Sequence, residues 1–277
     1  MTEPYAEVIG DPIAHSKSPL IHNFWLNKLG IKADYRRCHV RPDELADYFA
    51  KRRQDADWRG CNVTIPHKEA VIPFLDRLED AAKQVGAVNT IWRDAKGQLH
   101  GTNTDVDGVA EALSCRPDLS GRTAVVIGAG GAARAAFAHL EGKGCSSVVV
   151  IARNHAKAGA TLADFKLPVR FAAFDDVNAL QNAALVINAT QLGMAGQEVM
   201  PAQVLHGLTK TVTDCVVFDM VYVPRETELL KLAAVYHRMT SGGLTMLVGQ
   251  ARTAFSRFFG QVPSRETDSE LQEILTS

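Results

Sequence analysis

Nine consecutive residues carry the clearest chemical meaning in the chain: Val125-Val126-Ile127-Gly128-Ala129-Gly130-Gly131-Ala132-Ala133. A β-branched run passes into the pattern G-x-G-x-x-G/A. Gly128 permits a tight turn, Gly130 lets a pyrophosphate approach the backbone, and Ala133 allows close packing of the helix that follows. That helix start offers free N–H groups and the positive end of a dipole to phosphate. No lysine followed by serine or threonine ends the loop, so it is not a nucleoside-triphosphate loop. About 20 residues on, where an acid would meet the ribose 2′-hydroxyl of NAD, the chain reads Ala152-Arg153-Asn154-His155-Ala156-Lys157. A carboxylate is missing there, and Arg153 and Lys157 can pair with a 2′-phosphate, which favours NADP. The same residues would suit the solvated basic start of a helix.

Ahead of this turn lie short polar clusters at the ends of expected elements. Ser16-Lys17-Ser18-Pro19 sets two hydroxyls at a strand-to-helix connection, and Asn62-Val63-Thr64-Ile65-Pro66-His67-Lys68 sets an amide, a hydroxyl and an amine at a strand end and the next helix start. Asn89-Thr90 and Asn103-Thr104-Asp105 repeat the arrangement. Ligands of α/β sheets bind at the carboxyl ends of strands, so these clusters are expected to share one cleft. Singly, each has a plainer reading: Ser18, Thr104 and Asp105 as helix caps, Asn89 as a turn residue. Lys68 resists that reading, because a cation at a helix amino terminus opposes the dipole.

The elements that must position these groups alternate along the chain, as in βαβ units with a mostly parallel sheet. Strands are expected at Glu7–Gly10, Tyr35–Val40 and Gly60–Thr64. Helices are expected over Pro19–Leu29, with Leu20, Phe24 and Leu26–Leu29 on the buried face, and over Pro42–Lys51, with Leu45 and Phe49 inward. Asn89–Arg93 and Gln98–Thr102 flank Asp94-Ala95-Lys96-Gly97, a hairpin turn. From Gly121 a cleaner series runs: strand Thr123–Ile127, helix Gly130–Leu140, strand Ser147–Ala152, helix, strand Val169–Phe171, helix, then strands Leu185–Asn188 and Val216–Asp219. After Gly242-Gly243, residues Leu244, Leu247, Val248, Ala251, Phe255 and Phe258 make one helical stripe.

Composition sets the limits. The 277 residues suffice for one large or two modest domains with a real core. Lysine plus arginine (30) nearly cancels aspartate plus glutamate (31), and 46% hydrophobic with 22% charged residues is a globular average. This argues against a nucleic-acid-coating surface, a polybasic membrane binder and a disordered acidic chain. Five cysteines, Cys38, Cys61, Cys115, Cys145 and Cys215, lie far apart with no zinc spacing and read as buried thiols in a reducing compartment. No H-E-x-x-H occurs, so no metal is expected. An acidic Met1-Thr2-Glu3 start and the lack of a ~20-residue apolar run point to a soluble cytoplasmic protein without a membrane partner.

Taken in order, these motifs resemble those of the shikimate dehydrogenase family. The resemblance spans essentially the whole chain: Ser16-Lys17-Ser18-Pro19, Asn62 to Lys68, Gly86-Ala87-Val88-Asn89-Thr90, Asn103-Thr104-Asp105, Gly128 to Ala133, Ile187-Asn188-Ala189-Thr190, Asp219-Met220-Val221-Tyr222 and Met246-Leu247-Val248-Gly249-Gln250. It implies NADPH-dependent, reversible reduction of 3-dehydroshikimate to shikimate, a step toward chorismate and the aromatic amino acids. The implied architecture is α/β in two domains: a substrate domain with a mainly parallel sheet over residues 1–104 and 243–277, and a Rossmann-like doubly wound NADP domain over 105–242. The resemblance further implies Lys68 and Asp105 as catalytic pair, Ser16 and Ser18 with Tyr222 on the substrate carboxylate, and Thr64, Asn89, Asp105 and Gln250 on its hydroxyls. Gly128, Ala129, Gly130, Gly131, Ala132, Ala133, Arg153, Asn154, Lys157 and Thr190 would hold the cofactor, with Met220, Gly243 and Met246 along the nicotinamide. Partners are then small molecules, with no nucleic acid, and monomer and homodimer both stay open. Three departures from the family pattern stand out: Ala152-Arg153-Asn154 where Asn-Arg-Thr is frequent, with Lys157 for arginine; Gly242 for aspartate; and Gln191 for proline or serine. The alternatives are a quinate/shikimate paralogue using NAD or NADP, and a non-catalytic NADP-binding regulator.

Overall fold

A computed structural model describes residues 3–114 and 118–276; Cys115, Met1 and Thr2 lie outside the described residues. The chain divides into two compact units, one running to Thr104 and resuming at Gln250, the other spanning Asp105–Gly249. The second unit therefore reaches past residue 242 into the helix that follows.

Unit 1 contains β1 (Tyr5–Gly10), α1 (Ser18–Leu29), β2 (Asp34–His39), α2 (Leu45–Gln54), β3 (Trp58–Val63), β4 (Arg77–Leu78), α3 (Asp80–Val85), β5 (Thr90–Arg93) and β6 (Leu99–Thr102). Its sheet has the order β2-β1-β3-β5-β6-β4. β2, β1 and β3 run parallel, while β5 is antiparallel to both β3 and β6. The β5–β6 turn closes as its sequence requires: Asp94 Oδ1 accepts the N–H groups of Lys96 (2.8 Å) and Gln98 (2.9 Å), and Gly97 takes φ +81°. α1 starts with Pro19 in its first turn and ends at Gly30 in the left-handed region. Its buried face is Ser18, Ile21, His22, Trp25 and Leu26, while Leu20 stays exposed. Of the expected face Leu26 is buried and Phe24 and Leu29 are half-buried, but the centre of the face lies elsewhere, because Trp25 and His22 pack among Tyr35, Phe255 and Phe258. Ile9, Phe49, Trp58, Ile91 and Leu99 fill the core on the side of α2.

Unit 2 contains α4 (Asp105–Ala112), β7 (Thr123–Ile127), α5 (Gly131–Leu140), β8 (Ser147–Ile151), α6 (His155–Leu162), β9 (Val169–Ala172), β10 (Ala183–Asn188), α7 (Ala202–Gly207), β11 (Val216–Asp219), α8 (Glu228–Val235) and β12 (Met239–Gly242). Every pairing is parallel, in the order β12-β11-β10-β7-β8-β9. This is the doubly wound order, with its switch point between β7 and β10. Val125, Ile127, Val149, Ile151, Val186 and Val217 are buried, which is why these strands read as continuous apolar runs. α9 (Gly243–Phe259) begins in unit 2 and ends in unit 1, and α10 (Asp268–Thr276) packs on α1.

Two expected helices are not there. Between β9 and β10 the chain makes only turns, anchored by Asp176 Oδ1 accepting the Asn178 N–H at 2.9 Å. After β3, Lys68 lies in a run of turns that leads only to a 3-10 turn at Ile72–Phe74. No helix dipole opposes its charge, so that sequence anomaly dissolves. Cys38, Cys61, Cys145 and Cys215 are free thiols; Cys61 and Cys215 are buried and the other two only half-buried. No helix among the described residues is long and apolar enough to cross a membrane.

Candidate active site

One end of the unit 1 sheet gathers the polar clusters. Strands β1, β3 and β6 finish there, and antiparallel β5 starts there, so residues after Gly10, Val63 and Thr102 meet those before Thr90. Ser16 Oγ lies 3.2 Å from Ser18 Oγ and accepts the Ser18 N–H at 3.3 Å, while the Ser16 carbonyl is held by Arg37 at 2.6 and 3.0 Å. Ser18 is the first residue of α1 and not its cap, a position that Lys17 occupies. Asn89 is no ordinary turn residue. Its Oδ1 accepts from Thr104 N (2.7 Å) and faces the hydroxyls of Thr90 (3.0 Å) and Thr104 (3.1 Å), and its carbonyl accepts from Val63 N (2.8 Å). Thr104 Oγ1 reaches Gln250 Oε1 at 3.4 Å, bringing the first residues of α9 within unit 1 to the same network. Thr64 N donates to the Ile9 carbonyl (3.0 Å), and the Lys68 carbonyl accepts from Val88 N (2.7 Å), which ties the lysine's backbone to the segment that carries Asn89.

Sequence reasoning missed the support beneath this network. Tyr35 on β2, almost wholly buried, donates its hydroxyl to Asn62 Oδ1 at 2.6 Å, and Asn62 Nδ2 donates to the Asn89 carbonyl (3.2 Å) and Thr90 Oγ1 (2.9 Å). Burial, more than the neighbouring Cys61 and Glu7, drives the Tyr35 phenol well above its usual range, so it stays a donor, and Ser18 stands beside it. Asn62 belongs to the segment Asn62 to Lys68, but only the β2 and β3 registers against β1 connect it to Tyr35.

In unit 2 the glycine turn lies at the switch point. Gly128 has φ +98°, and a Cβ there would come within 2.5 Å of Thr190 Cγ2, so both conformation and space demand glycine. Gly130 and Gly131 face open space, with nothing within 4 Å of an added Cβ. They lead into α5, where Ala133 is fully buried. A cavity of about 500 Å³ joins this turn (Gly128, Ala129, Gly130) to Arg153, Asn154, Lys157 and Thr190. Asn154 caps α6 by accepting the Lys157 N–H at 2.9 Å, which fixes the start of the basic segment. The cleared glycine faces, the helix start and the basic far end fit a dinucleotide carrying an extra phosphate. Gln191 also lines this cavity.

Met220, Gly243 and Met246 are not part of that lining. An added Cβ at Gly243 would collide with the Met220 and Val221 carbonyls, so glycine is needed where α9 starts. A buried network sets this region. Asn188 Nδ2 donates to Asp219 Oδ1 (2.9 Å), Thr227 donates to Asp219 Oδ2 (2.7 Å), and Thr190 donates to Asn188 Oδ1 (2.7 Å). Burial raises the Asp219 carboxyl, against the lowering effect of Thr227, the Val221 N–H and Asn188. Asp105, the first residue of α4, and Tyr222, just beyond β11, also belong to unit 2. Among the described residues no group of side chains could hold a metal ion.

The model of the shikimate dehydrogenase substrate-binding domain matches residues 8–91, and that of shikimate/quinate 5-dehydrogenase matches residues 110–237. Shikimate dehydrogenase (NADP(+)) of Sphingopyxis alaskensis is 47% identical over 274 residues, covering 99% of this chain and 97% of its own. Among solved structures, the Listeria monocytogenes shikimate 5-dehydrogenase in complex with shikimate and NAD superposes with TM-score 0.86 at 30% identity, over 99% of this chain and 96% of that one. The Thermus thermophilus enzyme in complex with NADP(H) and shikimate gives TM-score 0.82 at 31% identity, over 98% and 99%.

Proposed function

The chain belongs to the shikimate dehydrogenase family, and from that membership we propose how its own residues perform the reaction. It is an NADP-dependent oxidoreductase acting on a CH–OH group, interconverting 3-dehydroshikimate and shikimate. The bound cofactor supplies or takes up the hydride; the protein has to orient the ring and manage the charge left on oxygen. The Ser16 and Ser18 hydroxyls, with Tyr222, take the substrate carboxylate. Thr64, Asn89, Asp105 and Gln250 take the ring hydroxyls. Lys68 gives its proton to the ketone oxygen during reduction and removes it during oxidation, and Asp105 acts with it, so the titration seen in a rate profile belongs to the pair. Gly128 to Ala133 take the pyrophosphate, Arg153, Asn154 and Lys157 the adenosine phosphate, and Thr190, Met220, Gly243 and Met246 the nicotinamide half.

The observation that carries this reading is the unit 1 network. Its hydroxyls and amides, fixed by mutual hydrogen bonds at one sheet end, suit a small polyhydroxylated carboxylate. Quinate has one more hydroxyl on the carboxylate-bearing carbon, and serine rather than threonine at position 18 favours shikimate. Free thiols and the absence of a long apolar helix among the described residues support a cytoplasmic location.

Initial rates of shikimate and quinate oxidation, each with NADP⁺ and NAD⁺, test the reading on wild type and Lys68→Ala. Shikimate with NADP⁺ should give the highest kcat/KM, and K68A should lower kcat about 100-fold or more while changing KM far less. No turnover of shikimate with either cofactor would sink the assignment. A K68A enzyme that lost binding but kept kcat would remove Lys68 from the chemistry.

A further inference from the structure

The far end of the unit 2 cavity is not simply basic. Arg153 and Lys157 share its lining with Glu198, and Arg153 Nη1 lies 3.6 Å from Glu198 Oε2. An adjoining cavity of about 580 Å³, also lined by Arg153, carries Asp175. Arg153 thus lines one cavity with Glu198 and the adjoining one with Asp175 before any ligand arrives. The acid absent from the segment after β8 is supplied instead by the loop between β10 and α7. That loop is closed by the Gly193 N–H donating to the Glu198 carbonyl at 2.8 Å, with Gly193 and Gly196 both at positive φ.

We propose that Glu198 is a cofactor-discriminating residue, which weakens the preference for NADP over NAD that Arg153 and Lys157 would otherwise impose. The proposal rests on reading this cavity as the NADP site. A 2′-phosphate on the Arg153 guanidinium competes with Glu198 for the same positive charge, and the dianion sits near that carboxylate. A neutral 2′-hydroxyl makes no such demand, and the Arg153–Glu198 pair persists beside it. The pair is exposed on both sides, so its competition amounts to a modest factor in affinity rather than exclusion.

Calorimetric titration of the cofactor-free protein with NADP⁺ and with NAD⁺, at one fixed low ionic strength, tests this on wild type and Glu198→Gln. E198Q should tighten NADP⁺ binding ~3- to 10-fold and move NAD⁺ binding less than ~2-fold. An unchanged ratio of the two affinities overturns the proposal, as does a loss of NAD⁺ affinity, which would make Glu198 a ribose ligand. A wild-type protein that binds neither nucleotide overturns the reading of the cavity as well; one that binds NADP⁺ but is indifferent to E198Q overturns the role of Glu198 alone.

Discussion

His22 lies wholly inside unit 1, with no hydrogen-bond partner for either ring nitrogen, stacked on Tyr35 at 3.9 Å between centroids. Desolvation lowers its pKa to about 3, against 6.5 for an ordinary histidine. An unfolded chain takes up the proton first as pH falls. The stability this ring contributes is therefore complete above pH 6.5 and drains between 6.5 and about 3, at up to ~1.4 kcal/mol per pH unit. His22→Phe keeps an aromatic stack without a titrating group. Urea unfolding of both proteins at pH 7 and pH 5 should show the variant gaining about 2 kcal/mol relative to wild type at the lower pH, whatever their offset at neutrality; parallel behaviour would contradict it. At this scale the sequence was half legible. Ser16, Ser18 and Asn89 stand out by type at the ends of expected strands, and Gln250 enters only through the family resemblance. Tyr35 and Glu198 could not, because each joins its site through a strand register or a loop that no local spacing encodes.

The glycine turn between β7 and α5 separates two reasons for one residue type. Gly128 is fixed by its own backbone and by Thr190, whereas the Gly130 and Gly131 faces are open to ligand. Gly130→Ala should fold with wild-type stability, since φ there is −85°, yet weaken NADP⁺ binding about tenfold or more. Gly128→Ala should lose about 1–3 kcal/mol of stability as well. Melting curves with and without NADP⁺ distinguish the two, and equal destabilisation would contradict the distinction. The turn was readable because strand, glycines and helix are contiguous. The segments after β3 and β9 misled because polar and apolar residues at helical spacing settle instead into turns tied by side chains such as Asp176 and by contacts from distant strands.

At the scale of the molecule, each unit holds a buried core cluster among its described residues, so the stability of each is a quantity to be followed by itself. Within unit 1, Arg252 is buried on α9. It donates to the Pro263 carbonyl (2.6 Å) and to both oxygens of Asp268 (2.6 and 2.7 Å), and its guanidinium lies 5.3 Å from the Trp25 ring centroid. Asp268→Ala leaves that charge without its carboxylate and should destabilise unit 1 by about 2–4 kcal/mol, while NADP⁺ affinity, a property of unit 2, stays within about twofold. Urea unfolding followed by hydrogen exchange, resolved by unit, checks this; equal loss in both units would refute it. The two α/β layers were visible in the alternation of strand and helix patterns. The mixed direction of the first sheet hinges on one antiparallel strand, β5, and only its hairpin turn announced it. The discontinuity of unit 1 also gives the protein an order in time. On the ribosome the whole of unit 2 is made before Phe255 and Phe258 emerge to cover His22 and Trp25, so the first unit to be started is the last that can be finished. Until then its aromatic face is open to water and to chaperones, a vulnerability that a contiguous arrangement of the same two units would not have.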